Sequence, residues 1–338
     1  MKSVSVVIPC FNAGQHLDEA VQSALAQTWT NLEIVIVDDG SSDARTLRLL
    51  EEAHWPRTRI FRQPNAGPSA ARNRAIREAR GEYILPLDAD DTIEPAYVEK
   101  AVAVLDGRPE VGCAYCKALK FGAEQGPWEL PPYRIEELVI DNVIFVTALF
   151  RKVDWQAIGG FDERLRHGVE DYDFWVKMVA SGKDVVQLDE FLFNYRVQEK
   201  SRTTRFQNGL DEKVTTYSDI FRSNQPFYAV HAETLFKHRF DLYAKVEDWR
   251  ARSERAERDI SSLAASWESR YQELEAQSKA DLAYWRKRYG GLDAFLRRHA
   301  LLRKAVGRLK TLVRGRKARR AANQSGAPTG NTNIRRQI

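Results

Sequence analysis

The 338-residue sequence predicts an α/β domain, a mostly parallel sheet between helices, with a long helical extension after it. Short apolar runs alternate with helically spaced apolar residues through the first hundred positions, the mark of strand–helix repeats. Two of those runs end in acidic clusters, Asp38-Asp39 and Asp88-Ala89-Asp90-Asp91. Past residue 240 the apolar residues step by fours and threes between charged ones, a heptad spacing.

The elements follow in order. Val4 to Pro9 is a first strand, and Leu17, Ala20, Val21, Ala24 and Leu25 follow at helical spacing. Leu32 to Val37 is a second strand that stops at Asp38-Asp39-Gly40-Ser41. A helix then passes through Leu47 and Leu50, and Arg59-Ile60-Phe61 is a third strand. Pro68 opens a helix through Ala71, Ala75 and Ile76 that stops by Gly81. Tyr83 to Leu87 is a fourth strand, ending at the second acidic cluster. Such repetition implies a parallel sheet with helices on both faces, and ligands of such sheets bind beyond the carboxyl ends of the strands.

After residue 107 the pattern loosens around Pro127, Pro131 and Pro132. Ile144 to Phe150 reads as a strand and Gly159-Gly160-Phe161-Asp162 as a turn. Glu170-Asp171 opens a helix whose apolar side includes Phe174, Trp175, Met178 and Val179, with acids suited to its first turn. Val185 to Tyr195 is extended, and the domain is expected to span residues 1–225.

Residues 226–289 read as a long helix. Positions 242, 246, 249, 253, 256, 260, 263, 267, 270 and 274 form a heptad seam that is apolar except at Ser253 and Arg270. A homo-oligomeric coiled coil is the favoured reading, and packing on its own domain is the alternative. Gly290-Gly291 breaks the helix. In 290–320, Phe295, Leu302, Ala305, Val306, Leu309, Leu312 and Val313 share one face, surrounded by Arg and Lys. This suits an anionic membrane surface, against the plainer reading of a solvated basic helix. Nucleic acid is not expected as a partner, because few aromatics interleave these charges. Residues 321–338 have the composition of a disordered tail.

Composition narrows the class. Apolar residues at 43% and charged residues at 29% exclude a wholly disordered chain. The net charge of +5 hides a net +13 within residues 286–320, so the basic end is expected to have a separate task. No apolar run approaches the ~18 residues of a membrane span. Met1-Lys2 leads straight into a strand-like run, so no signal peptide is expected. Three cysteines make no disulfide framework and suit a reducing cytoplasm. Cys113 and Cys116 have half the spacing of a zinc site but no second pair, and fit a buried strand better.

The acidic clusters could be turn and cap chemistry. Both nevertheless lie on the rim where such sheets bind ligands. Carboxylate oxygens suit hard divalent cations such as Mg²⁺ and Mn²⁺, and a cation there would bridge a diphosphate. A further carboxylate across the cleft, with Asp171 as candidate, would serve as general base for a hydroxyl, although Asp171 alone could be a helix cap.

Six ordered motifs carry a resemblance. They are Val6-Val7-Ile8-Pro9-Cys10-Phe11-Asn12, Val37-Asp38-Asp39-Gly40-Ser41-Ser42-Asp43, Asn65-Ala66-Gly67-Pro68-Ser69-Ala70-Ala71-Arg72-Asn73, Leu87-Asp88-Ala89-Asp90-Asp91, Gly159-Gly160-Phe161-Asp162 and Glu170-Asp171. Across residues 3–205 the chain resembles the inverting family-two glycosyltransferases of GT-A fold that build bacterial surface polysaccharides. The resemblance implies a nucleoside-diphosphate sugar donor, UDP-linked by preference, a saccharide or lipid-linked acceptor, and a divalent metal, Mn²⁺ or Mg²⁺. It implies that Pro9 and Phe11 line the base and ribose pocket, that Asp39 bonds the base and that Asp88 contacts the ribose. Asp90, helped by Asp91, would hold the metal, and Asp171 would be the base. Arg72 would either reach the nucleotide or brace the rim.

One departure stands out: many relatives carry Tyr-Arg-x-His, where this chain has Tyr195-Arg196-Val197-Gln198. His167 reads as an ordinary loop histidine, and one of Trp128, Trp155 and Trp175 is open as a sugar platform. Lipid-carried acceptors would place the protein in the cytoplasm, peripheral on the inner face of the membrane. The rival readings are an inactive nucleotide-sugar-binding scaffold and a sugar nucleotidyltransferase. The second would want a basic, Gly-rich loop after the first strand, and Cys10 to Gly14 contains no Lys or Arg.

Overall fold

The computed structural model describes residues 2–166, 168–198, 209–289 and 304. Two compact units divide the chain, Met1–Ala244 and Lys245–Ile338. The basic 290–320 segment, Lys304 apart, the 321–338 tail and His167 lie outside the described residues.

The first unit is a mixed α/β fold on a nine-stranded sheet. Its amino-terminal half holds β1 (Val4–Cys10), β2 (Leu32–Asp38), β3 (Thr58–Arg62) and β4 (Tyr83–Pro86). Helices α1 (Leu17–Leu25), α2 (Ala44–Glu52) and α3 (Pro68–Glu78) connect them. β1 and β2 are buried nearly throughout, as parallel strands covered on both faces must be, so they read as unbroken apolar runs. Helix α1 buries Leu17, Ala20, Val21 and Ala24, the i, i+3, i+4, i+7 stripe of an amphipathic helix. Asp43 caps α2 by accepting from Thr46 N, and Pro68 occupies the first turn of α3, where its missing N–H is harmless.

Then follow β5 (Thr92–Ile93), α4 (Tyr97–Gly107), β6 (Val111–Gly122), β7 (Gly126–Pro127), α5 (Ile135–Leu138), β8 (Leu149–Arg151), α6 (Lys152–Ala157), α7 (Glu170–Ala180) and β9 (Asp184–Val197). The strand order is β3-β2-β1-β4-β8-β6-β9-β5, with β7 paired to β6. β1 pairs in parallel with both β2 and β4, in a register that aligns Cys10 with Asp38 and Val7 with Pro86. The segments after β1, β2 and β4 therefore emerge on one edge of the sheet.

The expected strand over Ile144–Phe150 is shorter than its apolar run. Only Leu149–Arg151 pairs, with β4 and β6, while Val143 to Ala148 are buried in irregular backbone. That backbone finds partners without a ladder, as where Tyr97 donates its hydroxyl to the Thr147 carbonyl at 2.6 Å. Cys113 and Cys116 are free and buried in β6.

Helices α8 (Leu210–Ser223) and α9 (Gln225–Val230) bury Ile220, Phe227 and Tyr228 in the same core. Asn224 donates to the fully buried Asp173 of α7 at 2.8 Å, fastening them to it. Helix α10 runs Ala232–Tyr289 and leaves Leu242, Val246, Trp249, Ile260, Leu263, Trp267 and Leu274 exposed. No described helix is long and apolar enough to cross a membrane.

Candidate active site

The edge carrying the ends of β1, β2 and β4 is stitched together before it meets any ligand. Asn12, at φ 51° just past β1, accepts from Ser42 N and Asp43 N, while its own N–H donates to Ser41 Oγ. Asp38 accepts from Ser41 N at 2.9 Å. Gly40 has φ 77°, and a Cβ there would lie 2.7 Å from Asn65 N, so this turn admits glycine alone without displacement. Pro9 is half-buried at the strand end and Phe11 is half exposed beyond it, an aromatic face open to solvent beside the floor.

Asp39 is almost fully buried, and its carboxylate is already engaged. One oxygen accepts from Gln63 Nε2 and Ala66 N, the other from Gly67 N, all within 2.9 Å. In this structure Asp39 holds the loop before α3 against the end of β2.

Arg72 on α3 is 2% exposed and lies between two carboxylates. It donates to Asp88 Oδ1 at 2.6 Å and to Glu170 Oε1 at 2.7 Å, partners 16 and 98 positions away. Burial works against the guanidinium's charge, but Asp88 and Glu170 outweigh it and hold Arg72 firmly protonated. The placement makes Arg72 a brace between the β4 rim and the start of α7. Glu170, which sequence reasoning valued only as a neighbour of Asp171, is the second end of that brace.

Asp171 occupies the second position of α7, half-buried, in the first turn, where acidic side chains suit the positive end of a helix. The residue before the helix, Val169, has φ 54°, an unusual conformation for a β-branched side chain. The turn ahead of Asp171 is therefore fixed by its surroundings rather than by local preference.

The second acidic cluster faces two ways. Asp88 is about one-third exposed on the rim, and Asp90 is half-buried beside it. Asp91 points inward, accepting Arg196 N at 2.8 Å. Arg196 also donates through Nε to the Asp90 carbonyl at 2.8 Å, and its guanidinium lies 4.2 Å from the Phe121 ring. Gln198 Nε2 donates to Asp90 Oδ2 at 2.6 Å, so the residue standing where many relatives carry His does reach the cluster. Burial and then Asp88 push the Asp90 carboxyl up, and burial followed by Asp90 and Asp88 pushes Asp91 well up. Charging this rim is thus opposed first by burial and then by repulsion among its carboxylates.

A divalent cation would relieve that repulsion, and the Asp90 carboxylate supplies the oxygen donors that Mg²⁺ and Mn²⁺ prefer, while Gln198 meets it with its amide nitrogen. No group of three His, Cys, Asp or Glu with metal-ligand geometry occurs among the described residues. The donor set fits a metal completed by substrate phosphates, which needs only one or two carboxylates, and does not fit an all-protein cage.

Comparison with known proteins agrees with this geometry. Residues 5–153 match the model of glycosyl transferase family 2. An uncharacterized glycosyltransferase of Rickettsia typhi is 30% identical over 234 residues, which cover 65% of this chain and 71% of that one. The chain belongs to glycosyltransferase family 2. Its first unit has the GT-A fold. The chondroitin synthase of Escherichia coli is 36% identical over 185 residues, 53% of this chain, and this family member spans only 27% of that longer protein. In fold it is similar to residues 1–349 of Staphylococcus aureus TarS in complex with UDP-GlcNAc, with a TM-score of 0.51 at 23% identity over 60% of each chain. It is also similar to a Pyrobaculum calidifontis mannosyltransferase in complex with GDP-Man and Mn²⁺, with a TM-score of 0.52 at 20% identity over 69% of each.

Proposed function

We propose that this glycosyltransferase moves a sugar, with inversion and metal assistance, from a nucleoside-diphosphate donor to a hydroxyl of a saccharide or lipid-linked acceptor in surface polysaccharide synthesis. The observation that carries the reading is the brace: Arg72 ties the Asp88–Asp90 rim to the turn that presents Asp171. A donor-side carboxylate pair and a candidate base are thereby held on one rigid frame, as an in-line displacement requires.

In this reading Pro9 and Phe11 form the nucleoside wall, and Asp39 shapes its floor and offers its remaining acceptor capacity to the base. Asp88 takes the ribose. Asp90 holds the metal, with Asp91 setting the position of Arg196 behind it. The bound metal would offset charge on the departing diphosphate. Asp171 accepts the acceptor's hydroxyl proton as the oxygen attacks the anomeric carbon, and one displacement inverts that centre. A UDP-linked donor is favoured, supported by the UDP-GlcNAc held by TarS and the hexosaminoglycan synthases among the relatives.

The exposed heptad residues of α10 support self-association as a coiled coil. The basic 290–320 segment would rest on anionic lipid, bringing the enzyme to acceptors at the inner leaflet. These assignments give a catalytic region of 1–225, to whose core α9 adds Phe227 and Tyr228, a long helix and coiled coil within 226–289 and a membrane-contacting 290–320 segment.

The test is titration calorimetry of UDP and GDP, with and without Mn²⁺, on wild type and on Asp90→Ala. Metal-dependent binding of one nucleotide, lost in the variant, is expected. Tight binding that ignores Mn²⁺ and Asp90 would remove the metal role, and no binding of either would favour the inactive scaffold.

A further inference from the structure

Three tryptophans of the catalytic unit were open as sugar platforms, and their surroundings separate them. Trp175 is fully buried, and Trp155 is nearly so, with its indole N–H donated to Asn73 Oδ1. Trp128 is different. It follows β7 directly, is half-buried, and its indole N–H makes no hydrogen bond among the described residues.

Its ring lies 4.4 Å from Tyr195 and 6.0 Å from Phe145. Phe145 lies 4.6 Å from Phe193, and Phe193 lies 6.5 Å from Tyr195. Those four contacts link the rings in one closed aromatic cluster, with the Trp128 and Phe145 planes 24° apart. Phe145 and Phe193 are buried while Trp128 is not, so Trp128 is the exposed end of this aromatic cluster.

The shelf is next to the donor rim. β5 pairs antiparallel with β9, Ile93 opposite Phe193 and Thr92 opposite Asn194. Continued by one residue, that register sets Tyr195 opposite Asp91, and the Arg196 N–H to Asp91 bond holds it there. In the proposed reading the nucleoside takes the β1–β2–β4 edge, and β9, which brings Tyr195 to the rim, lies toward the other end of the strand order. That is where the second sugar of a transfer must lie.

We propose that Trp128, backed by Tyr195, is the platform for the pyranose ring of the acceptor. The proposal deepens the transferase reading and rests on it. One face of a pyranose presents C–H groups carrying slight positive charge, complementary to the negative face of an indole. The free indole N–H at the shelf's edge is a donor for a ring hydroxyl. Such a platform fixes the ring's plane while leaving its hydroxyls free to be aimed at the base, which is orientation rather than chemistry.

The experiment uses the full chain with UDP and Mn²⁺ present, and reads saturation-transfer NMR to methyl pyranosides of glucose, galactose, mannose, N-acetylglucosamine and glucuronic acid. UDP affinity is measured separately by calorimetry. Wild type is expected to saturate the ring C–H protons of at least one pyranoside. Trp128→Ala should weaken that binding about ten-fold or more, and Trp128→Phe by about three-fold or less, with UDP affinity within about two-fold in both. Pyranoside binding by Trp128→Ala within about two-fold of wild type would overturn the proposal, as would a wild type that saturates none of the panel. Should Trp128→Ala also lose UDP, Trp128→Phe decides: sugar and UDP binding both kept support the shelf, and equal loss of both overturns it. Trp128-dependent sugar binding in a wild type that binds no UDP would sustain the shelf as a sugar site while removing the transferase reading.

Discussion

Arg72→Ala takes away the cation between Glu170 and Asp88, and the structure sets the size of the effect. The Glu170 side chain is 3% exposed and that of Arg72 2%, so Glu170 would be left in the interior facing the space its charged partner had filled. Removing one member of a buried pair costs roughly 3–5 kcal/mol. Asp88, about one-third exposed, can turn to water and adds little. For a unit of this size, ~2–4 °C per kcal/mol gives a fall in the unfolding midpoint of about 6–20 °C. Arg72→Met with Glu170→Gln removes both charges and should recover most of that loss. Thermal unfolding by circular dichroism, with UDP–Mn²⁺ calorimetry well below the transition, reads both consequences. A midpoint for Arg72→Ala within about 2 °C of wild type would refute the brace. If UDP affinity vanished at the same time, the guanidinium would belong to the nucleotide.

Three further outcomes are expected. Asn73→Ala should lower stability by roughly 2–4 kcal/mol in urea unfolding, because Asn73 Oδ1 accepts from Phe161 N and Trp155 Nε1 and its amide donates to the Phe161 carbonyl and Glu163. An unchanged midpoint would mean the Gly159–Asp162 turn holds itself. Burial pushes the Glu33 carboxyl up, but hydrogen bonds from Arg80 N, Ser5 and Arg59 outweigh it and hold it below the usual range. Its stabilisation is therefore present above pH ~4.5 and fades as pH falls through the depressed value, so Glu33→Gln should cost stability at pH 7 and converge on wild type in acid; parallel curves would contradict this. Truncation after Arg288 should release the protein from anionic vesicles in a flotation assay while sparing transfer to a soluble acceptor, and equal flotation would sink the membrane contact.

The strands that frame the site were legible because doubly covered parallel strands are unbroken apolar runs, and Pro68 marks a helix start by its own chemistry, whereas the Asp43 cap of α2 emerged only from the structure. The run Ile144–Phe150 misled for the same reason, since burial alone makes an apolar run and Val143 to Ala148 are buried without pairing. Motif spacing brought Asp39, Asp88, Asp90 and Asp171 into consideration but said nothing of their partners. The Arg72–Glu170 bond joins residues 98 apart, and no local pattern announces a contact between distant loops. Consecutive Asp90 and Asp91 look equivalent in sequence, yet one borders the rim and the other takes a backbone N–H inside. The choice among the tryptophans needed packing, because only neighbours decide which indole is covered.

The irregular pairing of β9 with β6 has a consequence for how this enzyme can change. Between Tyr115–Gln187 and Lys117–Phe191, β9 contains two surplus residues, and between Lys117–Phe191 and Ala118–Phe193 it contains one more. An even surplus leaves the pleat in phase and an odd one inverts it, so the last bulge decides which way every later side chain of β9 faces. Losing one residue just after Phe193, where the pairing is regular, would set Arg196 where Tyr195 stands, stripping the aromatic layer and unlocking Asp90 and Asp91 in a single event. Losing the surplus residue itself would straighten the ladder and keep both. Length variation in this strand is therefore confined to the bulges before Phe193, and an insertion beyond them, far from any reacting atom, can be as damaging as replacing the base itself.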